Sequence, residues 1–305
     1  MKLRTILATV LAAFVCQGCS TSQPQATFAT PDAAVQSLVA ASKANDEAQL
    51  KQLFGPDSTD LVGSGDPVAD ANNREKFVAA YEAKHTLAAN PDGSLTLDVG
   101  NSDWPLPIPL VKSASTGKWS FDTAAGKDEL INRRIGNNEL NVIKVCEATT
   151  DAQREYAERD PDGDGIPEYA LKFISDEGKK NGLYWPTAEG EPPSPLGPLV
   201  GEAVDEGYSA TPGGAPRPYH GYFFKMLTAQ GPSAPGGAMS YIVKGKFIGG
   251  FGVVAWPAQY GSSGIMTFIV GYDGVVYQKD LGPETAKRAK AMTAYDPGDG
   301  WKPAE

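Results

Sequence analysis

The chain has 305 residues, of which 41% are hydrophobic, 34 are Gly and 24 are Pro. That apolar share supports a packed core and excludes a disordered chain, and the absence of a Gly-X-Y period excludes collagen. The 27 Lys and Arg against 37 Asp and Glu give a net charge of −10, which argues against a nucleic-acid partner, because phosphate contacts need clustered cations.

The first element is an address. Lys2 and Arg4 precede an apolar run from Ile6 to Val15, and Cys16-Gln17-Gly18-Cys19-Ser20 follows. The run is too short to span a bilayer, which takes about 20 residues, and it has the shape of a secretory signal. Gly18-Cys19 resembles a lipobox, in which the Cys carries diacylglycerol; Cys16 stands where the usual Leu would be. Residues 1–18 are therefore expected to be a signal peptide and Cys19 the lipidated residue. Ser20 resembles the default sorting pattern for the outer membrane. The expected location is the periplasmic face of the outer membrane, lipid-anchored, with the soluble periplasm as the alternative. Cys16 and Cys19 spell C-x-x-C, but Cys16 would leave with the signal, so a thioredoxin-type reading fails. Residues 19–30 are polar and read as a tether.

Residues 31–125 read as an α+β module. Thr30-Pro31 is a helix start, with Val35, Leu38 and Val39 at helical spacing. Leu50, Leu53 and Phe54 continue the stripe until Gly55-Pro56 stops it. A third helix is predicted over Asn73–Lys84. Strands follow at Leu95–Val99, Leu106–Val111 and Lys118–Asp122, with a turn at Ser115–Lys118.

Residues 126–305 form the second unit. A long helix is predicted from Gly126 to Arg159, with Ile131, Ile135, Val142 and Cys146 on one stripe and Asp160-Pro161 ending it. A Pro- and Gly-rich connector with a helical piece at Leu196–Glu206 leads to alternation from Tyr219 onward. Tyr222–Leu227 is a strand. Met239–Val243 is expected to pair with Phe247–Trp256 across Lys244-Gly245-Lys246, and Ile265–Gly271 with Val275–Gln278 across Tyr272-Asp273-Gly274. Pro283–Met292 is a closing helix. The fold class is thus α+β: N-terminal helices plus a small antiparallel sheet, then a long helix packed on a C-terminal antiparallel β-meander. The faces expected against the helix carry Phe223, Met226, Phe247, Phe251 and Ile269.

One motif has metal chemistry. Asp160, Asp162 and Asp164 alternate, Gly165 permits a sharp turn and Glu168 falls at position nine. Alternating carboxylates around a tight turn supply oxygens for calcium, although Leu171 stands where an EF-hand has its bidentate Glu. The two readings are a structural calcium site and a solvated acidic turn that caps the helix. Other chemistry is thin. His220 and His85 lack a nucleophile elbow nearby. Cys146 falls on an apolar stripe and reads as a buried thiol. Aromatic residues from Tyr222 to Tyr260 either stack a sugar or fill the core.

Three stretches carry a resemblance: Gly221–Pro232, Val253–Gly261 and Lys279–Ala286. Arg133-Arg134-Ile135-Gly136-Asn137-Asn138-Glu139 and Ala152-Gln153-Arg154-Glu155-Tyr156 join them. Together they resemble the bacterial family catalogued as domain of unknown function 2950. The resemblance implies an envelope protein and carries over no catalytic residue. A weaker likeness in element order links residues 126 onward to type IV pilin and pseudopilin headgroups, without the apolar helix half that assembles filaments. The first module is similar in order to nuclear-transport-factor-2-like cones, by fold analogy alone. The functional expectation is a non-enzymatic envelope lipoprotein that binds or scaffolds an envelope protein partner. The alternatives are binding of a small ligand in the first module and, further off, an envelope hydrolase.

Overall fold

The computed structural model describes residues 24–160, 163–209, 211 and 216–304. The leader, Cys19 and Asp162 lie outside the described residues. The first module begins with α1 (Pro31–Lys43), α2 (Glu47–Phe54), α3 (Thr59–Val62) and α4 (Pro67–Ala83). Capping side chains fix the starts. Thr30 Oγ1 accepts from Ala33 N at 3.2 Å, Asp46 from Gln49 N at 3.0 Å and Asp66 from Ala69 N at 3.2 Å. Helix α4 therefore starts earlier than the Asn73 expected from periodicity. Its first turns are polar and show no stripe, but Asp66-Pro67 is a cap followed by a first-turn Pro.

A five-stranded antiparallel sheet completes the module. It contains β1 (His85–Ala89), β2 (Leu95–Val99), β3 (Trp104–Pro105), β4 (Leu110–Lys112) and β5 (Trp119–Phe121), in the order β1-β2-β4-β5 with β3 on β2. Strand β1 was not expected, because its mostly exposed residues show no alternation. The strand expected over Leu106–Val111 is shorter, since Pro107 and Pro109 cannot donate to a ladder. Part of the tether is seated as well. Phe28 and Trp119 exchange backbone hydrogen bonds at 2.8 Å, and Gln25 Nε2 donates to the Leu53 and Phe121 carbonyls. The module's core includes Leu38, Leu53, Leu97, Ile108, Leu110 and Phe121.

Helix α5 (Thr123–Arg159) runs for 37 residues and ends at Asp160, which adopts a left-handed conformation. Its start fits closely on the first sheet. A Cβ at Gly126 would sit 2.0 Å from the Pro107 carbonyl oxygen, so only glycine permits this approach. The connector holds α6 (Gly197–Asp205).

The second unit comprises β6 (Tyr222–Leu227), β7 (Ala229–Gln230), β8 (Met239–Ser240), β9 (Ile242–Val243), β10 (Lys246–Phe247), β11 (Gly252–Pro257), β12 (Met266–Gly271), β13 (Val276–Asp280), α7 (Thr285–Ala291), β14 (Ala294–Tyr295) and β15 (Lys302–Pro303). The main sheet is antiparallel in the order β15-β13-β12-β11-β6. The hairpin expected across Lys244-Gly245-Lys246 exists only as the short β9–β10 pair. Strand β11 instead pairs with β6 and β12.

Both faces of this sheet are covered. Val142 and Cys146 of α5 pack with Tyr222, Val253, Ala255, Phe268 and Val270 on one face. On the other, Leu227, Val254, Trp256 and Ile269 pack with Ala289 of α7. The expected helix-facing set mixed the two faces: Met226 lies on the α5 side, Phe223 and Ile269 on the α7 side, and Phe247 and Phe251 in a separate cluster. Every residue of β11 is buried, and a strand buried on both faces reads as a continuous apolar run. Lys225 of β6 caps α7, its ammonium donating to the Lys290 carbonyl at 2.7 Å and also to that of Met292, where the helix dipole favours a cation.

The helix-on-sheet packing gives a direct test. Val142 is fully buried against the sheet, while Leu140 on the same helix is 55% exposed. Val142→Asp is expected to cost more than about 3 kcal/mol, because it buries an unpaired charge. Leu140→Asp should stay within roughly 0.5 kcal/mol. Urea midpoints measure both, and equal effects would contradict the packing.

Candidate functional site

Helices α1 to α4 and the first sheet share a core but leave a gap on the side that faces α5. A cavity of about 440 Å³ lies beside the C-terminal end of α5, and a more apolar one of about 480 Å³ opens between the first module and the N-terminal half of α5. The second falls within the ~300–1,000 Å³ usual for small-molecule sites. Its apolar wall comes from Leu38, Phe54, Phe77, Val99, Trp104 and Leu130. Phe54, Phe77, Trp104 and Leu130 are only partly buried, so the core offers apolar surface there.

The polar wall is concentrated on two helices. Helix α4 supplies Asp70, Asn73, Arg74 and Lys76, and α5 supplies Arg133, Arg134 and Asn137. Arg74 is buried; it donates to the Val62 carbonyl at 2.6 Å and to Asn45, with Glu47 at 3.8 Å. Asp70 accepts from Ser64 N at 2.9 Å. Arg133 pairs with Glu129 at 2.7 Å and lies 5.2 Å over the Trp104 ring. Arg134 donates to the carbonyls of Asp60 and Leu61 and to Ser262 Oγ. Burial pulls the Arg134 guanidinium below its usual range; Asp70 and Asp60 oppose this and Arg74 adds to it. Lys76 is exposed at the mouth and makes no ion pair among the described residues.

A second polar cluster sits where the two units meet. Asp66 is fully buried. Its Oδ2 accepts from the Tyr208 hydroxyl at 2.9 Å and from Gly221 N at 2.8 Å. His220 has φ of 48° and its Nε2 lies 3.3 Å from Glu206. Burial lowers the His220 pKa from 6.5 against the pull of Glu206 and Asp66, with Lys76 lowering it further. Burial, and then the Asp66 charge, push the Tyr208 hydroxyl well above its usual range.

The other sequence candidates are distributed elsewhere. Cys146 is fully buried, and burial pushes its thiol up to about 12, so it stays protonated. His85 stacks on Tyr81 at 3.9 Å at the exposed end of α4. Tyr222, Tyr241, Phe247 and Phe251 are core residues. In the acidic turn, Asp160 Oδ2 accepts from Gly165 N at 2.9 Å and Asp164 Oδ1 from Ile166 N at 2.9 Å. Lys246 bonds the Asp164 carboxylate and lies 3.7 Å from Glu168. Among the described residues no three His, Cys, Asp or Glu converge on a point that would hold a metal ion.

Fold and cavity define an α+β protein with a small-molecule-sized chamber between its first module and its long helix. Residues 25–304 match the family described as "Protein of unknown function (DUF2950)", and the chain belongs to that family. Curated proteins and solved structures give no match. Among the described residues no helix is long and apolar enough to cross a membrane. Sequence reasoning singled out Arg133 and Arg134 only as part of the family pattern and missed Asp66, Asp70, Arg74 and Lys76. The available signal was an Arg pair on a helix in an acidic chain.

The His220 shift has a definite sign. A base whose folded pKa is depressed takes up its proton first in the unfolded chain, so stability falls as pH drops below about 6.5. His220→Asn keeps a residue that tolerates positive φ and removes this component. The wild-type advantage in urea midpoint should shrink between about pH 7.5 and pH 5. A difference that stays flat would mean that the folded imidazole is not held neutral.

Proposed function

We propose that the protein is a non-catalytic, lipid-anchored protein of the periplasmic face of the outer membrane that binds a small ligand in the cavity beside α5. The observation that carries the reading is the cavity itself, with partly buried aromatic and aliphatic walls and polar groups converging from α4 and α5. Gly18-Cys19 and Ser20 support the anchor. A mature lipoprotein carries more than one acyl chain, which makes attachment stable. The fully buried Cys146, whose thiol burial pushes up to about 12, does not serve as a nucleophile, which favours binding over thiol-dependent hydrolysis.

A neutral fluorescent probe, N-phenyl-1-naphthylamine, tests the cavity. It should bind saturably, and Leu130→Trp, which fills the chamber, should weaken it by about tenfold, the effect of ~1.4 kcal/mol. Absence of saturable binding would contradict the reading. For the anchor, Cys19→Ala should release the protein from washed membranes into the soluble fraction; retention would contradict it.

Two further readings have an observation each. Scaffolding of an envelope protein is favoured by Met239, Ile242, Val243 and Ile248, which are exposed around the β9–β10 hairpin. A structural calcium at Asp160, Asp162, Asp164 and Glu168 is favoured by Asp160 Oδ1, which is buried without a hydrogen-bond partner among the described residues. Calcium competes with Lys246 for Asp164 and Glu168. A melting temperature that rises with millimolar calcium supports the metal, by mass action, and an unchanged one supports the lysine.

A further inference from the structure

We infer that the ligand of this cavity is a single-chain amphiphile with an anionic head, its chain against the apolar wall and its head among Arg74, Lys76, Arg133 and Arg134. The inference rests on the cavity-binding reading above and adds the chemistry of the ligand. It starts from a charge anomaly. The whole chain carries a net charge of −10, yet the cavity wall carries those four cations against the single carboxylate of Asp70.

Two of these cations, Arg134 and Lys76, form no ion pair among the described residues, whereas Arg133 pairs with Glu129 at 2.7 Å. Arg74 is held by the Val62 carbonyl and the Asn45 side chain, and its nearest carboxylate, Glu47, stands at 3.8 Å. Arg134 is held by two carbonyls and a hydroxyl. Such dipoles orient a guanidinium but leave its charge in place. Burial disfavours the Arg134 charge, and Arg74 adds to that cost against the pull of Asp70 and Asp60. Lys76 stands exposed at the mouth without an ion pair among the described residues. An anion placed between α4 and α5 relieves this repulsion and receives charge-assisted hydrogen bonds from planar donors suited to carboxylate or phosphate.

The rest of the wall selects the rest of the ligand. Leu38, Phe54, Phe77, Val99 and Leu130 offer no hydrogen-bonding group. Trp104 adds an indole N–H, and its ring face is covered by Arg133; Ser42 and Ser102 add hydroxyls to the lining. A free phosphate or small dianion would leave this surface wet. An uncharged hydrocarbon would leave Lys76 and Arg134 without an anionic partner. A chain of moderate length bearing one anionic head satisfies both walls.

Displacement of N-phenyl-1-naphthylamine from the full soluble protein (Cys19→Ala) by four dodecyl compounds separates the possibilities. Dodecanoate and dodecyl phosphate should each bind about tenfold or more tighter than dodecanol, because charge-assisted hydrogen bonds are worth that much. Dodecylammonium should bind weakest. Added salt should narrow the gap by screening the mouth. Lys76→Glu combined with Arg133→Glu, two side chains that retain solvent exposure, should bring the acid-to-alcohol ratio to about one. A thermal melt confirms that the double variant is folded, and Lys76→Gln with Arg133→Gln gives a milder second test of the same ratio. Dodecanol binding as tightly as dodecanoate, or an anion preference that survives both double variants, overturns the headgroup inference and leaves cavity binding standing. Failure of the probe itself to bind overturns both.

Discussion

The arrangement depends on a short row of polar residues in the middle of α5. Arg134 and Asn138 are one turn apart on a helix whose neighbouring turns carry Ile131, Ile135 and Val142. Arg134 ties the carbonyls of Asp60 and Leu61 to Ser262, and Asn138 Nδ2 donates to the Ser263 carbonyl at 2.8 Å. Next to them, Glu139 Oε1 accepts from Ile265 N and Met266 N, both at 2.9 Å. One stretch of helix thus satisfies backbone groups of α3 and of the turn leading into β12. Buried carbonyls and amides left without these partners would each cost on the order of 1–3 kcal/mol. The row therefore fixes how the two units meet.

The cavity follows from that constraint. With Arg134 pinned to α3, the preceding turns of α5 lie over the open side of the first module and bring Leu130 and Arg133 to its wall. The following turns carry Val142 and Cys146 onto the second sheet. The helix is both the lid of the chamber and the support of the sheet. The same pinning holds two guanidiniums, Arg74 and Arg134, near one another in a low-dielectric wall, where charge effects are larger than in water. A structural device that joins the units also creates the site's electrostatic character.

Much of the fold was legible from local signals. Capping residues and stripes marked α1, α2 and the long helix, and the change from helical spacing to alternation marked the second sheet. The misreadings have physical causes. Strand β11 is buried on both sides, so its sequence carried no face, and residues for α5 and for α7 were grouped together. Strand β1 is mostly exposed and left no alternation to read. The Lys244-Gly245-Lys246 turn was legible, but how far its strands ran depended on β6 competing for β11. The site was harder still. Its apolar wall reads as ordinary core, because an apolar stripe looks the same whether it meets another stripe or a space. The partners of Arg134 lie 73 and 128 residues away, at Leu61 and Ser262, beyond the reach of any local pattern.

The most direct test of α5 as the shared element is the unfolding of Arg134→Met, an apolar chain of similar reach, followed by calorimetry beside the wild type. The wild type is expected to unfold in one cooperative transition, because first module, helix and second sheet share one packed interface. Without the guanidinium, the Leu61 carbonyl loses its side-chain partner and the Asp60 carbonyl keeps only the Ser262 hydroxyl, at 3.0 Å, so the first module should melt separately and earlier than the second sheet. A variant that keeps a single transition at the wild-type temperature would contradict the role assigned to Arg134 and to the helix that carries it.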